Sequence, residues 1–154
     1  MMKLLIFSDS HGDTHRMREL ILFHSDAKAV CHLGDGEREI SYLAQEFPDR
    51  DFYCVRGNCD FSSDAPALRL EKLGGKRVLL SHGHLYGVKG GVYRYSLAAR
   101  EQKADLALFG HTHQPFAEYD DGLYLFNPGS IRDGHYGLIE IVSAGVVTRH
   151  LKYR

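Results

Sequence analysis

No apolar run in this chain approaches the roughly 20 residues that a helix needs to cross a membrane. An excess of charge of one sign is also missing. Nineteen Lys and Arg oppose 20 Asp and Glu, giving a net charge of −1 and a pI near 6.8. Neither a non-specific nucleic-acid binder nor a membrane-surface protein is expected from that balance. Cysteine is scarce: Cys31, Cys54 and Cys59 are odd in number and lack CxxC spacing, which favours reduced thiols and a cytoplasmic location. The first residues lack the cationic stretch, longer apolar segment and cleavage site of a signal peptide. No internal repeat or low-complexity linker interrupts the chain. With 154 residues, 44% of them hydrophobic, a single domain over 1–154 with one good core is expected.

Histidine is abundant, and five of the ten histidines fall in five short segments. These are Asp9-Ser10-His11, Gly34-Asp35, Gly57-Asn58-Cys59-Asp60, His82-Gly83-His84 and Gly110-His111-Thr112-His113. Each follows an apolar run: Leu4–Phe7, Ala29–Leu33, Phe52–Val55, Val78–Leu80 or Leu106–Phe109. Runs of this length bounded by Gly and polar residues predict buried strands. In an open α/β sheet, ligands gather beyond the carboxyl ends of the strands.

Helical patterns alternate with these strands. Met17, Leu20 and Ile21 predict a helix over Thr14 to Phe23, with Asp13 as its cap. Ile40, Leu43, Ala44 and Phe47 predict another over Arg38 to Phe47, closed by Pro48, and Tyr93 to Lys103 predicts a third. Beyond Pro115 the pattern changes to short strands with turns at Asp120-Asp121-Gly122 and Ser143-Ala144-Gly145, which read as antiparallel hairpins. The expected architecture is α/β, with two sheets packed face to face and helices outside.

Alternate residues of an extended segment point the same way, so Asp9/His11, His82/His84 and His111/His113 are each expected to aim two groups at one point. With Asp35 and Asn58 they form an oxygen and nitrogen donor set suited to Mn, Fe, Ni, Co or Zn. Asp9, His11, Asp35, Asn58, His82, His111 and His113 exceed what one ion needs. A bridging carboxylate such as Asp35 would hold two ions about 3.5–4 Å apart, a pair that clamps phosphate and lowers the pKa of bound water to about 7.

The order Asp-x-His, Gly-Asp, Gly-Asn-x-Asp, Gly-His, Gly-His-x-His resembles the calcineurin-like metallophosphoesterases, and the length and Gly57-Asn58-Cys59-Asp60 variant resemble the small prokaryotic YfcE-type phosphodiesterases. The resemblance runs from Lys3 through the tail. It implies a four-layer α/β/β/α sandwich and phosphodiester hydrolysis by a hydroxide bridging two divalent ions, manganese first, with nickel, cobalt, iron or zinc as alternatives. By the same resemblance, Asp9, His11, Asp35 and His113 would bind one ion. Asp35, Asn58, His82 and His111 would bind the other, with His84 near the phosphate. Many relatives carry His after the Asn as a candidate general acid; here Cys59 stands there. Asp60 is expected to orient a neighbour by a hydrogen bond.

Other residues leave two readings open. Arg16, Arg56 and Arg132 can reach a phosphate or serve as surface charges. Asn127-Pro128-Gly129-Ser130 is a structural turn or a substrate contact, and Lys89 to Tyr93 a rim over the site. His32 reads as a core or supporting histidine, His15, His24, His135 and His150 as surface or local contacts, and Cys31 and Cys54 as packing residues. The expected partner is a small phosphodiester, with no membrane, no strong nucleic-acid binding and a homo-oligomer through the tail strands as an option. Two other functions compete. A scaffold related to a membrane-trafficking-coat subunit would tolerate eroded ligands or expose apolar patches. A nuclease acting on short nucleic acids would bind with steep salt dependence.

Overall fold

β1 (Met2–Phe7) is apolar because both of its faces are covered. Leu4 and Ile6 enter one buried cluster, while Leu5 and Phe7, pointing the opposite way, enter another. The same split recurs in β2 (Ala29–His32), with Ala29 and Cys31 on one side and Val30 on the other. The computed structural model describes residues 1–154. Two five-stranded mixed sheets result. The first has the order β10-β9-β1-β2-β3, with β3 spanning Asp51–Cys54, β9 His135–Val142 and β10 Gly145–Lys152. The second has the order β4-β5-β6-β8-β7, from Leu68–Leu73, Lys76–Ser81, Leu106–Leu108, Leu123–Asn127 and Phe116–Asp120 respectively.

The sheets meet face to face through Leu4, Ile6, Cys31, Val78, Leu80 and Leu108, all fully buried. α1 (Thr14–Phe23) and α2 (Glu37–Glu46) cover the outer face of the first sheet through Met17, Ile21, Ile40 and Leu43. α3 (Tyr93–Glu101) covers the second through Tyr95 and Ala99, and the Tyr95 hydroxyl donates to the Leu108 carbonyl at 2.6 Å. The layers are therefore helices, sheet, sheet, helix, the sandwich expected from the sequence.

Some boundaries differ from expectation. α3 ends at Glu101, because Lys103 adopts a left-handed backbone (φ 55°) that cannot continue the helix. The tail forms the two expected hairpins, but they separate: β7–β8 joins the second sheet, and β9–β10 the first. β8 also runs parallel to β6, so the tail is not purely antiparallel. Asp13 caps α1, its carboxylate accepting from Arg16 N at 3.2 Å.

His32 sits at the end of β2, fully buried. Its Nδ1 accepts from Gly34 N at 3.1 Å, which leaves the proton on Nε2, 3.0 Å from Ser10 Oγ. Burial pushes this imidazole down to about 4, against the opposing charges of Asp60 and Asp9. Between about pH 6.5 and pH 4 the unfolded chain takes up a proton that the folded chain refuses. Stability contributed by neutral His32 is therefore present above 6.5 and lost by pH 4, roughly 3 kcal/mol in all. Denaturant unfolding of metal-free protein across this window is expected to show the loss, and His32→Gln to flatten it. An equal slope in both proteins would contradict the assignment.

Candidate metal centre

The parallel strands β1, β2 and β3 of one sheet, and β5 and β6 of the other, end at one rim. Just beyond their ends the backbone takes a rare conformation. Of seven non-glycine residues with positive φ, five are Asp9 (55°), His11 (43°), Asp35 (59°), His111 (71°) and His113 (61°). Such backbones cost on the order of 1–3 kcal/mol each and persist where the surroundings over-determine them. Here Asp9 N donates to Gly34 O at 2.9 Å, His11 N to Asp35 O at 3.1 Å and Gly110 N to His82 O at 3.0 Å. This corrects the expectation of extended segments: the paired groups converge because left-handed turns aim them inward. Between His82 and His84 the turn is made by Gly83 (φ 102°), and His84 opens a short 3-10 helix.

The side chains gather into two adjoining clusters, Asp9, His11 and His113 on one side and Asp35, His82 and His111 on the other. A third group, His11, Asp35 and Cys59, joins them; within each group the ligand atoms lie within 4.8 Å of one another. Asp9 Oδ1 lies 3.2 Å from His113 Nε2 and 3.7 Å from both His11 Nε2 and His82 Nε2. Asp35 Oδ2 lies 3.2 Å from His82 Nε2 and 3.9 Å from His11 Nε2, so it faces both clusters. His111 Nδ1 is 3.2 Å from His82 Nε2. Asp9 Oδ1 and His11 Nε2 are buried and have no hydrogen-bond partner. Carboxylate oxygens and imidazole nitrogens left open toward one point fit a divalent ion, whose charge would replace the missing bonds. Asn58 lies between Gly57, where an added Cβ would overlap the Asp35 carboxylate, and Cys59, whose amide donates to Asp35 Oδ1 at 2.8 Å.

A second set of contacts holds these groups in place. Asp9 Oδ2 accepts from Ser8 Oγ at 2.6 Å and His111 N at 3.0 Å, which turns Oδ1 toward the histidines. His82 Nδ1 lies 2.7 Å from the Leu33 carbonyl, which can only accept; the proton on Nδ1 is thereby fixed, and Nε2 faces the site. Burial works to raise the Asp35 carboxyl, but the His82 imidazole, the Cys59 amide and His11 hold it well below the usual carboxylate range. Burial works to lower His82, yet Asp35 and Asp9 keep it above the ordinary imidazole value. Burial and the nearby His82 charge depress both His84 and His111.

Residues 2–146 match the model of the calcineurin-like phosphoesterase superfamily domain. The chain belongs to the calcineurin-like phosphoesterase superfamily. It is 35% identical to the phosphodiesterase YfcE of Escherichia coli K12, over 85% of this chain and 80% of that protein. It is 32% identical to vacuolar protein sorting-associated protein 29 of Schizosaccharomyces pombe, over 84% of this chain and 72% of that one. A crystal structure of a predicted phosphoesterase from Streptococcus pneumoniae superposes with a TM-score of 0.85 at 29% identity, covering 98% of this chain and 89% of that one. Clustered Asp and His of the kind found here are typical of binuclear members of the superfamily. No helix of this calcineurin-like chain is long and apolar enough to cross a membrane.

Asp60 lies beside these clusters. Its carboxylate accepts from four backbone amides: Asp35 at 2.7 Å, Gly36 at 3.0 Å, Glu37 at 3.2 Å and Gly57 at 2.7 Å. It thus caps α2, which has no side-chain cap of its own, and ties the Gly34-Asp35 turn to the Gly57-Asn58 turn. Removing the carboxylate leaves four donors to find new partners. Asp60→Ala is expected to lower metal affinity by about 10–100-fold, as changes to residues that support metal ligands do. Calorimetric titration with the ion checks this, and wild-type affinity would contradict it.

His84 stands at the mouth, its ring centroid 5.4 Å from that of His82 and 6.1 Å from that of His111, with Nδ1 unpartnered. The exposed Cys59 thiol is raised by burial and by the neighbouring Asp35 charge, so it holds its proton at neutral pH. Cys31 is pushed up to about 12 by burial, and Cys54 is raised for the same reason; both are packing thiols. Arg16 is committed to Asp13 at 3.2 Å and to the carbonyls of Ile131 and Arg132, and Arg56 donates to Ala65 O at 2.9 Å. His15 pairs with Glu19, His24 with the Tyr136 hydroxyl, and His150 stacks on Phe126.

Asn127 and Ser130 hold the site from behind. Asn127 Nδ2 donates to Gly110 O and Thr112 Oγ1, and Ser130 Oγ donates to Asp9 O at 2.8 Å. Ser8 and Ser10 are single serines with no sequence signal for such a role, whereas Ser130 belongs to the Asn127–Ser130 segment, whose contacts here fit the structural-turn reading.

Proposed function

We propose that this chain is a phosphodiesterase that works with two divalent ions, manganese the first to test. Asp9, His11 and His113, with Asp35, would hold one ion; Asp35, Asn58, His82 and His111 would hold the other. The observation that carries this reading is Asp35, a single carboxylate facing histidines of both clusters at 3.2 and 3.9 Å. Bound there, such ions supply Lewis acidity for phosphate oxygens and lower the pKa of coordinated water to about 7. The chain does the rest. His82 presents Nε2 because the Leu33 carbonyl holds its Nδ1 proton, and Asp9 presents Oδ1 because Ser8 and the His111 amide hold Oδ2. His84, whose affinity for protons is lowered by burial and by the His82 charge, would meet a phosphate oxygen at the mouth.

The test is hydrolysis of bis(p-nitrophenyl) phosphate by metal-stripped protein with Mn, Ni, Co, Fe, Zn or Mg returned singly. Ion-dependent turnover is the expected result.

A second reading, an interaction module, is favoured by the likeness to a protein named for vacuolar sorting. Leu22 and Phe23, 61% and 78% exposed at the end of α1, are the apolar residues such a module would use. Ion binding without turnover of any diester would bring that reading forward.

A further inference from the structure

Phe61 is 92% exposed, which leaves unused the roughly 1.5–3 kcal/mol that burying such a ring contributes. It lies two residues after Cys59 and lines a cavity of about 560 Å³ that also opens onto His11 and Asp35. The first turn of α2, with Glu37, Arg38 and Glu39, forms another part of the wall. This volume lies within the range of small-ligand sites, about 300–1,000 Å³. The loop carrying Phe61 is tied down on both sides. Asp60 binds the amides described above, Ser63 N donates to Asp60 O at 3.3 Å, and Ala65 N donates to Ser63 Oγ at 3.0 Å. The backbone that carries the ring is therefore held beside the candidate metal centre, and the ring itself stands free in solvent.

An aromatic face with mixed polar groups around it selects among possible ester arms. Glu37 and Glu39 offer acceptors, while Arg38 and the Ser62 hydroxyl offer donors. A quaternary ammonium would use the carboxylates and the ring, but Arg38 stands between the two glutamates in sequence and opposes a second positive charge. A neutral heterocycle with both donor and acceptor edges uses all of these groups. We propose that the cavity takes a nucleobase, so that the substrate is a nucleoside phosphodiester whose base stacks on Phe61 while its phosphate lies over the candidate metal centre. This rests on the phosphodiesterase reading above and names its substrate class. The near-neutral net charge of −1 agrees with a single nucleoside rather than a long polyanion.

The experiment is calorimetric titration of manganese-loaded protein with three monoesters of equal phosphate charge: thymidine 5′-monophosphate, methyl phosphate and phosphocholine. Base–aromatic stacking predicts that the nucleotide binds roughly 5- to 150-fold tighter than methyl phosphate. Phe61→Ala is expected to close that gap and Phe61→Trp to keep it. A gap unchanged in Phe61→Ala, phosphocholine binding as tightly as the nucleotide, or no gap in the wild type would overturn the proposal. Turnover of bis(p-nitrophenyl) phosphate is measured separately. Turnover without a gap defeats the base site alone; a gap without turnover leaves a nucleotide-binding site and defeats the catalytic reading together with the substrate claim that rests on it.

Discussion

Asp35→Asn is expected to abolish hydrolysis and to strip the protein of stably bound metal. The carboxylate faces His82 and His11 across both clusters, and it is held ionised by those imidazoles and by the Cys59 amide. An amide of the same shape keeps one acceptor oxygen but loses the negative charge that two cations would share. Its effect on metal affinity should exceed the 10–100-fold typical of supporting residues, because the change falls on a ligand itself. Metal content after dialysis, measured beside turnover, checks both halves. Two ions retained by the variant would contradict the bridging role. Folding is the control: Asp35 is not part of the apolar core, so far-ultraviolet circular dichroism should be unchanged.

Cys59→His is expected to raise turnover, and unequally across substrates. Cys59 is exposed at the mouth, and burial together with the Asp35 charge keeps its thiol protonated. A neutral thiol is a weak proton donor to a departing alkoxide, whereas an imidazolium is an effective one. Missing general acid catalysis typically costs about 10²–10⁴-fold. The gain should be largest for alkyl esters, whose leaving groups need a proton, and smallest for p-nitrophenyl esters, whose leaving group does not. A leaving-group series compared between wild type and variant tests this. Equal stimulation across the series would mean that the residue at position 59 does not protonate the leaving group.

The sequence made the site more legible than the backbone that builds it. Asp9, His11, Asp35, His82, His111 and His113 could be selected because each follows a run such as Leu4–Phe7 or Leu106–Phe109, and a buried strand announces its own end. How those residues converge was hidden. The extended alternation that pairs Asp9 with His11 gives way to left-handed turns, which depend on amides such as Gly110 N meeting His82 O between neighbouring strand ends. Contacts between distant segments leave no periodic trace. β4 was equally obscure, since Leu68-Arg69-Leu70-Glu71-Lys72-Leu73 alternates weakly and only Leu73 is buried. The distribution of the two tail hairpins between different sheets is also a tertiary choice. Asp60 was expected to orient one neighbour; its four amide bonds across two turns need the fold to be seen.

Two ions acting together at Asp35 are the centre of the proposed chemistry. The direct measurement is turnover of bis(p-nitrophenyl) phosphate during stepwise addition of manganese to metal-free protein, with bound metal counted at each step. Activity is predicted to stay low through the first equivalent and to saturate at two bound ions per chain. Full activity at one ion, or two bound ions with no turnover, would contradict it.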